Sequence, residues 1–137
     1  MSLFETAKAR VLSNPPEKTG LCYRYVKYAI EDCYGIEKAN ITGGSAIDAM
    51  QTLPKLGWVN MIGQYPNQFD APADSILVYS DNKIHGHIEI ASGGKTKEDK
   101  WFCSDFLYCL AKMDMVSGPR SRKLNRKLIG VFVRSKK

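Results

Sequence analysis

No stretch of the 137 residues approaches the roughly 18 consecutive apolar positions that a helix needs to cross a bilayer, which excludes a long transmembrane helix. The first residues, Met1-Ser2-Leu3-Phe4-Glu5, lack a charged segment followed by an apolar one, so no secretory signal is expected and synthesis in the cytoplasm is. Repeats, low-complexity tracts and interdomain linkers are also lacking. With 44% hydrophobic residues, the expectation is one compact domain over residues 1–137, because the length is short for two. Cysteine is scarce and carries no metal-type spacing: Cys22, Cys33, Cys103 and Cys109 include no C-x-x-C pair. Free thiols are expected. In one helix over residues 20–34, Cys22 and Cys33 would lie about 16 Å apart along the axis, beyond the reach of a disulfide.

Acidic residues are outnumbered, fourteen against twenty Lys and Arg, giving a formal charge of +6 and a pI near 9.2. Such a balance favours polyanionic partners such as cell wall, nucleic acid or anionic lipid without naming one, and it also simply keeps a surface soluble. The excess gathers at the end, in Arg120, Arg122, Lys123, Arg126, Lys127, Arg134, Lys136 and Lys137.

Periodicity divides the chain into helices first and strands later. A helix is expected over residues 2–12, with Phe4, Ala7 and Val11 on one stripe, stopped by Ser13-Asn14-Pro15-Pro16. A second follows over residues 20–34, capped by Thr19 or Gly20, with Cys22, Val26, Ala29, Ile30 and Cys33 recurring at helical spacing and Tyr34-Gly35 closing it. A third is expected from Ser45 to Leu53, turning Ala46, Met50 and Leu53 inward, with Pro54 near its end and Gly57-Trp58-Val59 leaving it. From residue 75 the period shortens to two. Strands are expected at 75–79, 86–91, 100–104 and 128–134, with a short helix over 106–115 and a turn at Ser117-Gly118-Pro119. The fold class is therefore α+β, N-terminal helices packed on a mostly antiparallel β-sheet.

Two residues carry the chemistry. Cys22 falls in the first turn of the second helix, where backbone N–H groups favour an anion and hence a thiolate, and where the same groups can serve as an oxyanion hole. The plain alternative is a small apolar core residue, as expected for Cys33. In Ile84-His85-Gly86-His87-Ile88-Glu89-Ile90, alternation puts His85, His87 and Glu89 on one strand face and Ile88 with Ile90 on the other. The glycine before His87 permits close approach of a backbone or substrate, which selects His87 as the base and leaves His85, beside the Asp81-Asn82-Lys83 turn, as an ordinary histidine.

A third group should fix the imidazole's orientation and tautomer. If residues 86–91 and 100–104 form a hairpin around Gly93-Gly94-Lys95-Thr96-Lys97, facing residues have numbers summing to about 191 or 192. His87 would then face Ser104 or Asp105. Asp105 is the expected orienting carboxylate, Glu89 the reserve, and the alternative role for Asp105 is N-cap of a helix over 106–115.

These residues resemble the cysteine- and histidine-dependent amidohydrolase/peptidase (CHAP) domains, relatives of the NlpC-type cell-wall peptidases in the papain-like superfamily. Gly20, Cys22, Tyr25 and Val26 match a G-x-C-x-x-Y-V pattern; Gly44 to Trp58 match a Gly- and Ala-containing helix; Pro72 to Tyr79 match a P-x-x-D-type strand start; Gly86, His87 and Ile88 match G-H-[VI]. The order and spacing cover most of the chain. The resemblance implies a papain-like fold, Cys22 as nucleophile, His87 as base and Asp105 as third member. Two positions depart from the pattern: Leu21 stands where such domains often carry Gln, leaving oxyanion stabilisation to backbone N–H groups, and Ser104-Asp105 replaces the usual Glu and Asn.

The expected activity is that of a cysteine amidase or endopeptidase acting on peptidoglycan peptides, a thiol protease mechanism that requires no metal or organic cofactor. Delivery to a wall would follow phage lysis or contact-dependent injection, with an immunity or inhibitor protein as a further partner. Two rivals stand beside it: acyl transfer or deamidation on a protein by the same dyad, and a non-catalytic module whose tail from Pro119 to Lys127 binds nucleic acid. The lack of interleaved aromatics in that tail argues against the second.

Overall fold

The structure, a computed structural model, describes residues 1–18, 20–80, 86–109, 114–116 and 127–134. The expectations for Thr19, His85, the Asp81-Asn82-Lys83 turn, the Ser117-Gly118-Pro119 turn and most of the basic tail lie outside the described residues.

Helix α1 spans Leu3–Ser13 and starts where Ser2, in extended conformation, accepts the Glu5 N–H on its hydroxyl at 3.2 Å. Glu5 in the first turn and Arg10 in the last suit the helix dipole. Leu3, Phe4, Ala7 and Val11 form its buried stripe. Helix α2 spans Cys22–Tyr34 and ends at Gly35, whose φ of 74° is the left-handed conformation that closes a helix, its N–H returning to Glu31 O. Val26, Ala29 and Ile30 are buried as their spacing predicts, whereas Cys22 and Cys33 are half-buried. Tyr23 joins the core instead, its hydroxyl donating to Thr42 O at 2.9 Å.

The third helical stretch is in two parts, a 3-10 turn at Ala46–Asp48 running into α3 at Ala49–Lys55. Its start is fixed by Asp48, whose carboxylate accepts from the N–H groups of Gly44 and Ser45 at 3.1 and 3.0 Å. Ala46, Ala49, Thr52 and Leu53 are buried, and Met50 packs against the core from a half-buried position.

Among the described residues, seven strands form one antiparallel sheet: β1 (Trp58–Asn60), β2 (Ile76–Ser80), β3 (His87–Ala91), β4 (Trp101–Cys103), β5 (Leu107–Cys109), β6 (Asp114–Val116) and β7 (Lys127–Arg134), in the order β1-β7-β2-β3-β4-β5-β6. Three of these differ from expectation. The segment leaving α3 becomes β1, a three-residue edge strand paired with the end of β7. The short helix expected over 106–115 is replaced by β5 and β6. Leu107 and Cys109 point into the core around a half-buried Tyr108, and pairing with β4 (Trp101↔Cys109, Cys103↔Leu107) uses that two-residue period.

The sheet is covered on both faces. Toward the helices, Ile76, Val78, Ile88, Ile90, Cys103 and Phe132 join the residues of α1, α2 and α3 in the main core. On the other face, Leu77, Tyr79, Ala91, Phe102 and Val131 form a second cluster beneath Ile62, Tyr65, Phe69 and Ala71. Lys100, fully buried, pins that cover: its ammonium donates to Ala71 O, Ser92 O and Gly94 O at 2.7, 2.8 and 2.7 Å, so each of its three protons has an acceptor. Every residue of β3 is therefore buried, polar ones included. A strand face that alternation marks as polar is enclosed here rather than wet.

Candidate active site

Cys22 is the first residue of α2 and half-buried. Gly20, at φ 85°, turns the chain into the helix, a conformation an L side chain resists. Leu21 follows as the helix cap and has no side chain able to hold it. The restraint comes from across the fold: Asp105, in the turn between β4 and β5, accepts the Leu21 N–H at 3.2 Å. The first intrahelical bond runs from Tyr25 N–H to Leu21 O at 3.0 Å. The amides of Cys22, Tyr23 and Arg24 precede it and offer their donors to an anion at the helix start.

His87 opens β3 directly across from Tyr79 of β2. Gly86 before it has φ 67°, and a Cβ there would stand 2.5 Å from Tyr79 O. The glycine thus allows the β2 backbone to approach and sets the angle at which β3 begins. The imidazole is 3% exposed, flanked by the rings of Phe106 at 6.0 Å and Tyr79 at 5.8 Å. Its Nε2 hydrogen-bonds Glu89 Oε1 at 2.9 Å, two residues along on the same strand face. With Nε2 engaged, Nδ1 is the ring nitrogen left for Cys22, whose side chain acts on the imidazole and helps to raise it.

Glu89 is fully buried, and such a carboxylate needs donors. It has three. Tyr79 OH donates to Oε2 at 2.7 Å, Tyr108 OH lies 2.8 and 2.9 Å from Oε1 and Oε2, and His87 supplies the third. This hydrogen bonding fixes the carboxylate, which fixes the ring. Burial alone pushes the His87 imidazole down; the Cys22 and Glu89 side chains outweigh it and raise the group from 6.5 to about 9. The arrangement therefore favours a charged imidazolium held between a carboxylate and a sulfur.

The structure sets the Cys22 side chain where it acts on the His87 imidazole, and the carboxylate on that imidazole is Glu89, not Asp105. Asp105 is buried, with Oδ2 on the Leu21 N–H and Oδ1 accepting from Ser104 Oγ at 3.1 Å. The reason is register. Ile90 pairs with Cys103 and Ala91 with Phe102, so facing numbers sum to 193 and Phe106, not Asp105, stacks on the His87 ring. Asp105 does cap a helix, but that helix is α2. Tyr79, Phe106 and Tyr108 were not anticipated from sequence; recognising residues 107–109 as a strand would have brought Tyr108 to the same face as Glu89.

All four cysteines are free thiols. Cys103 is buried, and burial pushes its thiol up, with Glu89 and Asp105 adding to the rise, so it is not a nucleophile. Cys33 lies 3.6 Å from Met1 O and Cys109 3.1 Å from Lys97 O, away from the imidazole. Among the described residues, no group of three or more His, Cys, Asp or Glu is placed to hold a metal ion, and no helix is long and apolar enough to cross a membrane.

No protein-family model matches the chain, and neither the curated proteins nor the solved structures give a match. What the site can do rests on its own geometry.

Proposed function

We propose that the protein is a cysteine hydrolase of the CHAP/NlpC-like, papain-like kind, cleaving peptide or amide bonds of peptidoglycan, with Cys22 as nucleophile, His87 as acid and base, and Glu89 as the group that orients His87. The observation that carries the reading is the line Cys22–His87–Glu89, a buried imidazole with a sulfur on one side and a hydrogen-bonded carboxylate on the other. The Cys22 thiolate attacks the amide carbonyl carbon while the amides at the start of α2 receive the negative oxygen. Because the Leu21 N–H is held by Asp105, that role falls to Cys22 and Tyr23. His87 gives its proton to the departing amine as the C–N bond breaks, leaving a thioester. His87 then takes a proton from water, the hydroxide attacks the thioester, and the C–S bond breaks to free the acid and restore the thiolate–imidazolium pair.

The test is to incubate the protein, and its Cys22→Ala and His87→Ala variants, with intact peptidoglycan and with isolated muropeptides, and to follow fragments by mass spectrometry. Fragments from the parent protein alone are expected, and they name the bond. Fragments undiminished in Cys22→Ala, or none from either substrate with the parent protein, overturn the reading.

A further inference from the structure

Glu89 orients the imidazole and two tyrosines hold Glu89, but one of those tyrosines has a further partner outside the strands. Tyr79 OH stands 2.7 Å from Glu89 Oε2 and 3.1 Å from Gln68 Oε1. A phenol has one proton to give and cannot serve both oxygens. The carboxylate takes it, being charged, nearer and fully buried. With the proton committed there, a carbonyl oxygen on Gln68 would set one lone pair against another. A half turn of the amide about its last bond exchanges Oε1 for Nε2 in the same space, and hydrogen bonding decides which of the two faces a partner. The orientation that satisfies both neighbours has Gln68 donating to the Tyr79 oxygen while Tyr79 donates to Glu89.

The segment around Gln68 is held at both ends. Its 3-10 turn, Gln68–Asp70, opens at Asn67, whose side chain accepts the Phe69 N–H at 2.9 Å. It closes at Ala71, whose carbonyl receives the buried Lys100 ammonium at 2.7 Å. Phe69 meets Phe102 edge-on at 6.3 Å, and Phe102 lies against Tyr108 at 5.4 Å. One short turn therefore bears on both tyrosines that hold Glu89, on Tyr79 by a hydrogen bond and on Tyr108 through a single ring.

We propose that Gln68 is a positioning residue for the base: its side-chain amide donates to Tyr79, commits the Tyr79 proton to Glu89, and so steadies the carboxylate that holds His87. Its part in catalysis rests on the reading of His87 as the base. The titratable groups that bear on His87 are Cys22 from α2 and Glu89 from its own strand, with Tyr79 of β2 beside the ring and Tyr108 of β5 reaching it through Glu89. An acceptor placed at position 68 would act in the opposite sense. It would compete for the Tyr79 proton, and a Glu89 short of donors keeps the imidazolium charged to higher pH.

The experiment uses the full chain with two readouts: an NMR titration of the His87 ring, which needs no turnover, and kcat/KM on a muropeptide against pH. The variants are Gln68→Glu, Gln68→Leu, Tyr79→Phe and Gln68→Glu/Tyr79→Phe. The signal missing from His87→Ala assigns the ring. Gln68 is half-buried on a turn, and melting temperatures confirm that each variant folds. Gln68→Glu should raise the His87 titration midpoint by about half a pH unit and carry the alkaline limb of kcat/KM with it. That rise should shrink in the Tyr79→Phe background, where no phenol proton is left to compete for. Gln68→Leu removes the donor without adding an acceptor, so kcat/KM should fall a few-fold with the midpoint in place. No rise in Gln68→Glu, or the same rise in both backgrounds, overturns the proposal, the second being the mark of charge alone. A lower midpoint in Gln68→Leu overturns it as well, because Tyr79 would then have been giving its proton to Gln68. The expected midpoints without Cys22-dependent fragments from the parent protein would uphold the positioning role of Gln68 and sink the hydrolase reading alone; fragments without those midpoints would do the reverse.

Discussion

Glu89 and Asp105 are both buried carboxylates close to the candidate dyad, and each is tied to a different half of it. Glu89 lies within β3, takes a hydrogen bond from the His87 ring and is held by two tyrosine hydroxyls. Asp105 lies in a strand-to-strand turn, takes a backbone N–H just ahead of Cys22 and is held by Ser104. One carboxylate acts on the charge and direction of the base, and the other on the position of the nucleophile's helix. Proximity therefore does not define a catalytic carboxylate; the atom it holds does. The two can be separated by experiment, because charge on an imidazole is read in a pH profile and a helix tether is read in stability.

The largest effect is expected at Glu89. Glu89→Gln preserves shape and removes the charge beside the imidazole, so kcat/KM should fall on the order of 10³-fold. In the parent protein His87 is raised to about 9, so the imidazolium is lost as pH climbs through that value, and kcat/KM should carry an alkaline limb near 9. In Glu89→Gln that limb should move down. The same shift bears on stability: a pKa higher in the folded than in the unfolded state favours folding fully below about 6.5, and the benefit fades as pH rises through about 9. Melting temperatures across that window should fall in the parent protein and change less in the variant.

Asp105→Ala should act differently. It leaves the Leu21 N–H without its acceptor, costing about 1–2 kcal/mol of stability by urea denaturation, and loosens the start of α2, lowering kcat/KM about tenfold. The alkaline limb should stay where it is. A limb that moves in Asp105→Ala and holds in Glu89→Gln would reverse the two roles and restore the carboxylate that spacing alone favoured.

Spacing favoured Asp105 over Glu89 because it leaves the long-range register open. Helices α1 and α2 were legible because apolar residues recur at helical spacing and because Ser13-Asn14-Pro15-Pro16 and Gly35 mark where they stop; β2, β3, β4 and β7 were legible from alternation between turn-rich loops. Strands β1, β5 and β6 have three residues each, too few for a period to declare itself; β4 is as short, but the Gly93-Gly94-Lys95-Thr96-Lys97 loop before it marks it as the return of a hairpin. Missing β5 removed Tyr108, and a hairpin register misjudged by one or two residues moved Asp105 onto His87. Strand alternation did place His87 and Glu89 together, since that relation is local, while the long-range relation depended on a loop whose length does not fix its pairing. Nor could alternation show that this polar face is buried, because the cover comes from residues 62–71, far away in sequence.

The smallest effects should separate the two tyrosines that hold Glu89. Each hydroxyl gives the carboxylate one proton, and phenylalanine in place of either keeps the ring. Tyr79 is buried, its hydroxyl set between Glu89 and Gln68 Oε1 at 3.1 Å, which leaves water less room than at Tyr108, and Tyr79→Phe should cost about 1–2 kcal/mol and lower kcat/KM a few-fold. Tyr108 is half-buried, and water can replace its hydroxyl, so Tyr108→Phe should cost under about 1 kcal/mol. Urea denaturation of the two variants, with kcat/KM measured alongside, checks the ranking. An inverted order would mean that Tyr108, which reaches both carboxylate oxygens, is the principal support of Glu89, and that the β4–β5 hairpin positions the base as well as the nucleophile.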